Sequence, residues 1–249
     1  IIVVLCPSLP VKFSLDTNKY GEKMRYRIFG DKLPGLTLQL DAGESIYTQS
    51  GGMSWMSDNF QMDTNVRGGL MKGLGRMLTG ESLFMATYTA RSSGAEITLT
   101  SAMPGEIRPL QLDGQKQYIA QKSSFLCAQQ GVVLSTFVNK LKTGLFGGEG
   151  FLMQRLSGEG MVFLELDGSI VELDLQPGQR IKVDTGNIAF FESDVKYDVE
   201  TVKGFTNIFF GGEGLFLSVL EGPSKVWLQS LNTASFAARI MGFMPHKSG

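Results

Sequence analysis

The sequence predicts an all-β chain of three consecutive β-sandwich units, each like a short double-stranded β-helix, sharing a core and followed by a short C-terminal helix. Three observations predict it. From Leu36 onward, short apolar runs alternate with polar residues at a period of two, the mark of half-buried strands. Glycine-rich breaks separate the runs. Two local patterns then return with matched spacing, which is the signature of an internal repeat.

The first 23 residues read as an N-terminal extension. Their apolar opening, Ile1 to Leu5, is far shorter than the roughly 20 residues of a spanning helix. Asp16, Asn18 and Lys19 follow where an export signal would need a small-residue cleavage site. Neither export nor a membrane span is expected, and the cytoplasm is the expected compartment.

The first unit is placed at 24–108, opening on the strand Arg25 to Phe29. It carries an insertion near 67–78 in which apolar and basic residues alternate among glycines. The second unit is placed at 109–176 and the third at 177–232. One landmark opens each passage: Gly43-Glu44, Gly114-Gln115 and Gly178-Gln179. A second follows it: Gly80-Glu81, Gly148-Glu149-Gly150 and Gly212-Glu213-Gly214. Gly43 to Gly80 is 37 positions, while Gly114 to Gly148 and Gly178 to Gly212 are 34 each. A unit of about 65 residues is too small to be robust alone, so neighbours are expected to share a core.

Alternation marks strands at Thr37 to Leu40, Ile97 to Thr100, Ile181 to Asp184 and Val195 to Val199. Met161 to Leu166, then Asp167-Gly168, then Ile170 to Leu173 reads as a hairpin, because Asp-Gly supplies the positive φ of a tight turn. At 233–249 a helix and tail are expected: Phe236, Ile240, Phe243 and Met244 keep helical spacing, Asn232 and Thr233 offer caps, and Pro245 is a stop.

A net charge of −1 and a pI near 6.0 offer no global attraction to a polyanion. Cys6 and Cys127 have no metal-like spacing and make no framework of bridges; Cys127 reads as a buried structural thiol. His246 is the single histidine and lies on the expected tail, so neither a metal centre of histidines and carboxylates nor a Ser-His-Asp arrangement is expected. The glycine landmarks lack a Gly-Lys-Ser/Thr ending and lead into strands, unlike nucleotide loops. No cofactor and no catalysis are expected.

The landmark residues Gly80, Glu81, Gly148, Glu149, Gly150, Gly212, Glu213 and Gly214 are expected to join repeats or subunits. Each carboxylate would accept backbone N–H bonds in its own glycine turn or pair with a nearby Arg or Lys. Arg67, Lys72, Arg76, Lys140, Lys142 and Lys203 fall shortly before the landmarks and could gather on one rim able to bind RNA or an anionic membrane surface. The favoured reading is a solvated, ion-paired face. Leu70, Met71, Leu74, Met77, Leu145, Phe146, Phe209 and Phe210 sit at related places and suit a subunit interface.

With these motifs placed, the stretch from about Met24 to Asn232 resembles the altered-inheritance-of-mitochondria protein 24 family. The pieces that carry the resemblance are Ser50-Gly51-Gly52-Met53-Ser54-Trp55-Met56, Leu78 to Phe84, Gly144 to Gly150, Val183-Asp184-Thr185-Gly186 and Phe209 to Gly214. The resemblance implies sandwich repeats similar to the trp RNA-binding attenuation protein, assembled as a homotrimer whose repeats form a ring. Many relatives carry His after the Asp-Thr-Gly segment, where this chain has Asn187. The function expected is that of a non-catalytic, ring-forming scaffold or binding protein, its partners being itself and an unidentified protein or ligand. The alternatives are an RNA- or membrane-surface-binding ring and, last, a small-molecule enzyme.

Overall fold

The structure, a computed structural model, describes residues 14–17, 23–49, 51–64, 85–137, 153–201 and 216–243. Strands β1 (Ser14–Thr17) and β2 (Lys23–Phe29) form a hairpin whose second strand pairs with β3. Three groups of strands follow. The first is β3 (Gly35–Leu40), β4 (Ser45–Gln49), β5 (Trp55–Met56), β6 (Phe60–Asp63), β7 (Met85–Ala90) and β8 (Ala95–Thr100). The second is β9 (Gly105–Asp113), β10 (Tyr118–Gln121), β11 (Phe125–Gln129), β12 (Val132–Phe137) and the long β13 (Met153–Asp167). The third is β14 (Ile170–Leu175), β15 (Arg180–Asp184), β16 (Ile188–Glu192), β17 (Lys196–Thr201), β18 (Phe216–Glu221) and β19 (Ser224–Gln229). Helix α1 (Thr233–Gly242) closes the described chain.

One antiparallel pairing scheme organises all three groups. The first and third strands pair with the sixth, and the second and fourth pair with the fifth: β3–β8, β5–β8, β4–β7 and β6–β7. The third unit repeats it as β14–β19, β16–β19, β15–β18 and β17–β18. In the second unit β13 supplies both the fifth and the sixth strand. Its first half pairs with β10 and β12 and its second half with β9 and β11. Each unit is therefore a sandwich of two three-stranded layers. By pairing, Gly105–Asp113 goes with the second unit and Ile170–Leu175 with the third.

The expected hairpin at Asp167-Gly168 does not form. β13 and β14 do not pair with each other; β13 pairs with β9 from Glu159↔Asp113 to Asp167↔Gly105, and β14 pairs with β19. Gly168 has the positive φ expected, 74°, but its turn carries the chain from one sheet to the next. Local pattern specifies a turn, whereas the partner is chosen by the longer ladder. Gly105 shows how close that ladder runs: a Cβ there would lie 1.8 Å from the Leu166 carbonyl oxygen.

Neighbouring units pack into shared cores. Leu36, Leu38, Ile97 and Leu99 of the first unit pack with Met161 and Phe163 of the second. Val162, Leu164 and Leu166, on the opposite face of β13, pack with Phe190 and Trp227 of the third. Phe163 and Phe190 are fully buried and Trp227 nearly so, which fills the sandwich interior with aromatic rings. Alternate residues of β13 thus serve two different cores.

Candidate functional site

Every residue singled out from the sequence as a joint or a rim contact lies outside the described residues. Arg67, Lys72, Arg76, Gly80 and Glu81 fall within 65–84; Lys140, Lys142, Gly148, Glu149 and Gly150 within 138–152; Lys203, Gly212, Glu213 and Gly214 within 202–215. The apolar companions, Cys6 and His246 lie outside as well. The flanks of the three intervals are described, and they are equivalent. Each interval joins the fourth strand of its unit to the fifth, which pair antiparallel up to Asp63↔Thr87, Phe137↔Met153 and Thr201↔Phe216.

The described residues bring a different feature together, at the seams between units. The second strand of one unit pairs antiparallel with the third strand of the next: β4 with β11, through Tyr47↔Ala128 and Thr48↔Cys127, and β10 with β16, through Ile119↔Phe191 and Ala120↔Phe190. The seams are reinforced by side chains. Tyr47 stacks on Phe125 and its hydroxyl donates to Val132 O at 2.9 Å; Thr48 Oγ1 donates to Leu126 O at 2.5 Å. Among the described residues two strands of the same kinds remain at sheet edges, β5 of the first unit and β15 of the third.

Around β15 the chemistry is ionic and hydroxylic. Lys182 Nζ lies 2.6 Å from Glu200 Oε2, and Lys196 Nζ 2.7 Å from Glu221 Oε1. The lysine hydrogen bonds hold both carboxyls below their usual range. Tyr197 OH, Ser218 Oγ and Thr185 Oγ1 form a chain of hydroxyls at 3.1 and 3.0 Å, and burial pushes the Tyr197 phenol up. At the corner after β15, Asp184 Oδ1 accepts from Gly186 N and from Asn232 Nδ2, at 3.0 and 3.1 Å. Asn187 donates from Nδ2 to Gln229 O at 2.8 Å and so has a structural bond. Asn232 also caps α1, accepting from Ser235 N.

Around β5 the chemistry is aromatic. On the outer face of the β2–β3–β8–β5 sheet the ring of Phe29 lies over Gly35, 6.3 Å from Trp55 by ring centroids, with the Arg27 guanidinium 4.9 Å above it. Trp55 is 56% exposed, and Leu33, in the turn between β2 and β3, is 61% exposed. Arg27 Nε is buried without an acceptor.

Two buried titratable groups lie elsewhere. Cys127 is a free thiol with no exposure, and burial pushes it far above the ordinary thiol range, which suits packing and not nucleophilic attack. Burial also raises the carboxyl of Glu165, which accepts from Ser101 Oγ at 3.0 Å and Ala102 N at 3.2 Å across the first and second units. Open strand edges flanked by an aromatic patch can form hydrogen-bonded and apolar contacts, and that is the capacity these residues have.

Sequence reasoning looked for function in the repeated glycines and missed the edges. A signal was present all the same: parts of two motifs carrying the resemblance, Gly51 to Met56 and Val183 to Gly186, lie at the corresponding turns between second and third strands of the first and third units, beside β5 and β15. Among the described residues no helix is long and apolar enough to cross a membrane.

Comparison with known proteins agrees with this architecture. Residues 26–231 match the family model described as mitochondrial biogenesis AIM24. An uncharacterized protein of Streptococcus pyogenes serotype M6 is 28% identical over 247 residues, covering 94% of this chain and 98% of its own length. A Streptococcus pyogenes protein solved by X-ray crystallography is 26% identical and superposes with a TM-score of 0.72, covering 89% of this chain and all of the other.

Proposed function

The chain belongs to the mitochondrial biogenesis AIM24 family, and from that premise we propose that it is a non-catalytic, ring-forming cytoplasmic scaffold or binding protein, closed head to tail by its own strand edges. The observation that carries the reading is the seam. The second strand of a unit pairs with the third strand of the next unit at both internal junctions, and β15 and β5 are the members of that series left at edges. An unpaired edge is a template for another strand, and a heterologous head-to-tail contact of this kind generates a ring where the rotation closes.

The internal seams set the register. Ile46, Tyr118 and Ile181 hold equivalent places opposite Tyr88, Leu156 and Leu220 on the fifth strands. Cys127, Phe190 and Trp55 do so opposite Phe163, Trp227 and Thr98 on the sixth. Carrying Tyr47↔Ala128 and Ile119↔Phe191 forward pairs Lys182 of one copy with Met56 of the next, and Val183 with Trp55. Tyr47 and Ile119 are 1% exposed, whereas Lys182 is charged and exposed, so the closing seam is the more polar of the three. A free, buried Cys127 is in keeping with a reducing compartment.

The test is the mass of the intact protein by sedimentation and native mass spectrometry. A single closed oligomer, a trimer by the family resemblance, is expected; a monomer at all concentrations overturns the reading. The same spectrum reports any ligand that the ring retains.

A further inference from the structure

Resting on the ring just proposed, we infer a second contact at each junction: helix α1 of one copy docks its apolar face on the Leu33–Phe29–Trp55 patch of the next copy. The place follows from a ladder of turns that runs along the array. Ser101 N donates to Pro34 O at 2.9 Å and Gly105 N to Lys32 O at 2.8 Å; Gly168 N donates to Pro104 O at 2.7 Å; Ser230 N donates to Ser169 O at 2.9 Å. The turn Gly30–Pro34, the segment Ser101–Pro104, the turn Asp167–Ser169 and the segment Ser230–Asn232 are thus successive rungs. Carried across the closing seam, the next copy's Gly30–Pro34 turn arrives beside Ser230–Asn232, where α1 begins.

The segment after each sixth strand also reaches the end of the next sixth strand. Ser101 and Ala102 bond Glu165, and Ser169 N donates to Ser230 Oγ at 2.8 Å. The corresponding target after β19 is the outer face of the next copy's β8 near Thr98 and Thr100, the row that Phe29 and Trp55 border.

The surfaces suit one another. Phe236, Ile240 and Phe243 recur at helical spacing and are 42%, 49% and 89% exposed. No residue of α1 is buried, and a helix of 10 residues is marginal in water without a partner. Its first turn is fixed to the end of β15 by the Asn232–Asp184 bond, so the helix is anchored at the proposed seam. On the other side Leu33 and Trp55 are the exposed apolar groups, and Arg27 Nε has no acceptor, as a group completed by a neighbour would not.

The test is a disulfide between copies in the full chain with Cys6 replaced by serine, Cys127 being buried. Leu33→Cys protein mixed with Phe236→Cys protein should give a two-chain cross-linked species under mild oxidation, which neither variant gives alone. The double variant should give a ladder that stops at the subunit number of the ring. Adding Ala237→Pro, which breaks the helix, should abolish the cross-link and leave the oligomer's mass unchanged. An intact ring with no cross-link overturns the docking alone, and so does a cross-link that survives Ala237→Pro. A monomeric wild-type protein overturns the docking together with the ring.

Discussion

Replacing Lys182 by proline should open the ring without unfolding the chain. Gly222 N donates to Gln179 O at 3.0 Å, and backbone groups alternate sides along an antiparallel strand. The N–H and C=O groups of Ile181 and Val183 therefore face β18, and those of Arg180 and Lys182 face the open side. Proline at 182 removes a donor that β18 does not use, and an edge strand tolerates it. Within the chain the loss is the Lys182–Glu200 ion pair, an exposed contact that contributes little. At the junction one hydrogen bond disappears and the facing Met56 carbonyl is left without a partner, about 2–4 kcal/mol per seam, which weakens each contact between about 30-fold and 1,000-fold. Sedimentation over a dilution series reads the result: Lys182→Pro dissociates at concentrations where wild type stays closed, with its melting as a folded monomer retained. Lys182→Gln keeps the N–H and should remain assembled. A Lys182→Pro protein of wild-type mass, or a Lys182→Gln protein that dissociates alike, refutes the argument that the edge makes the junction.

Phe163 is fully buried and meets Tyr26 edge-on at 5.2 Å, so Phe163→Ala should cost about 3–5 kcal/mol in denaturant unfolding, against a change within about 0.5 kcal/mol for the exposed Val133→Ala. Tyr47→Phe removes the hydroxyl bond from the first unit to Val132 of the second and should cost about 1–3 kcal/mol by the same assay, because it strands a buried acceptor. Burial raises the Glu165 carboxyl above its unfolded value, so the native state favours the protonated form. That stability is present below the unfolded pKa and lost as pH rises through the folded one. Wild type should therefore lose stability relative to Glu165→Gln as pH rises from the unfolded carboxyl value, about 4.3, through the raised folded one; a constant difference would show that burial does not raise the carboxyl.

The alternation at Ile97 to Thr100 and at Ile181 to Asp184 marked strands correctly, because which face a strand buries is written in every second residue. Asn232 as a cap and the helical spacing of Phe236, Ile240 and Phe243 marked α1, since capping and periodicity are local. The Asp167-Gly168 reading failed because its turn is local and its partner is not. Thr98 falls at a polar position of the alternation but is 1% exposed, paired across strands with Thr37 and Trp55 and hydrogen-bonded to Thr37 Oγ1 at 2.9 Å. Nothing adjacent in the chain announces those partners.

The sequence by itself determined the class, the three units, the closing helix and the family, all of which rest on residue type and spacing along one strand or one turn. Only the tertiary structure decided which strand pairs with which. It made β13 serve two sheets, seated the second strand of each unit on the third strand of the next, and left β5 and β15 at edges. Backbone hydrogen bonds are the same for every residue, so an open edge carries no mark in the side chains; it appears when the strands that could cover it have found other partners.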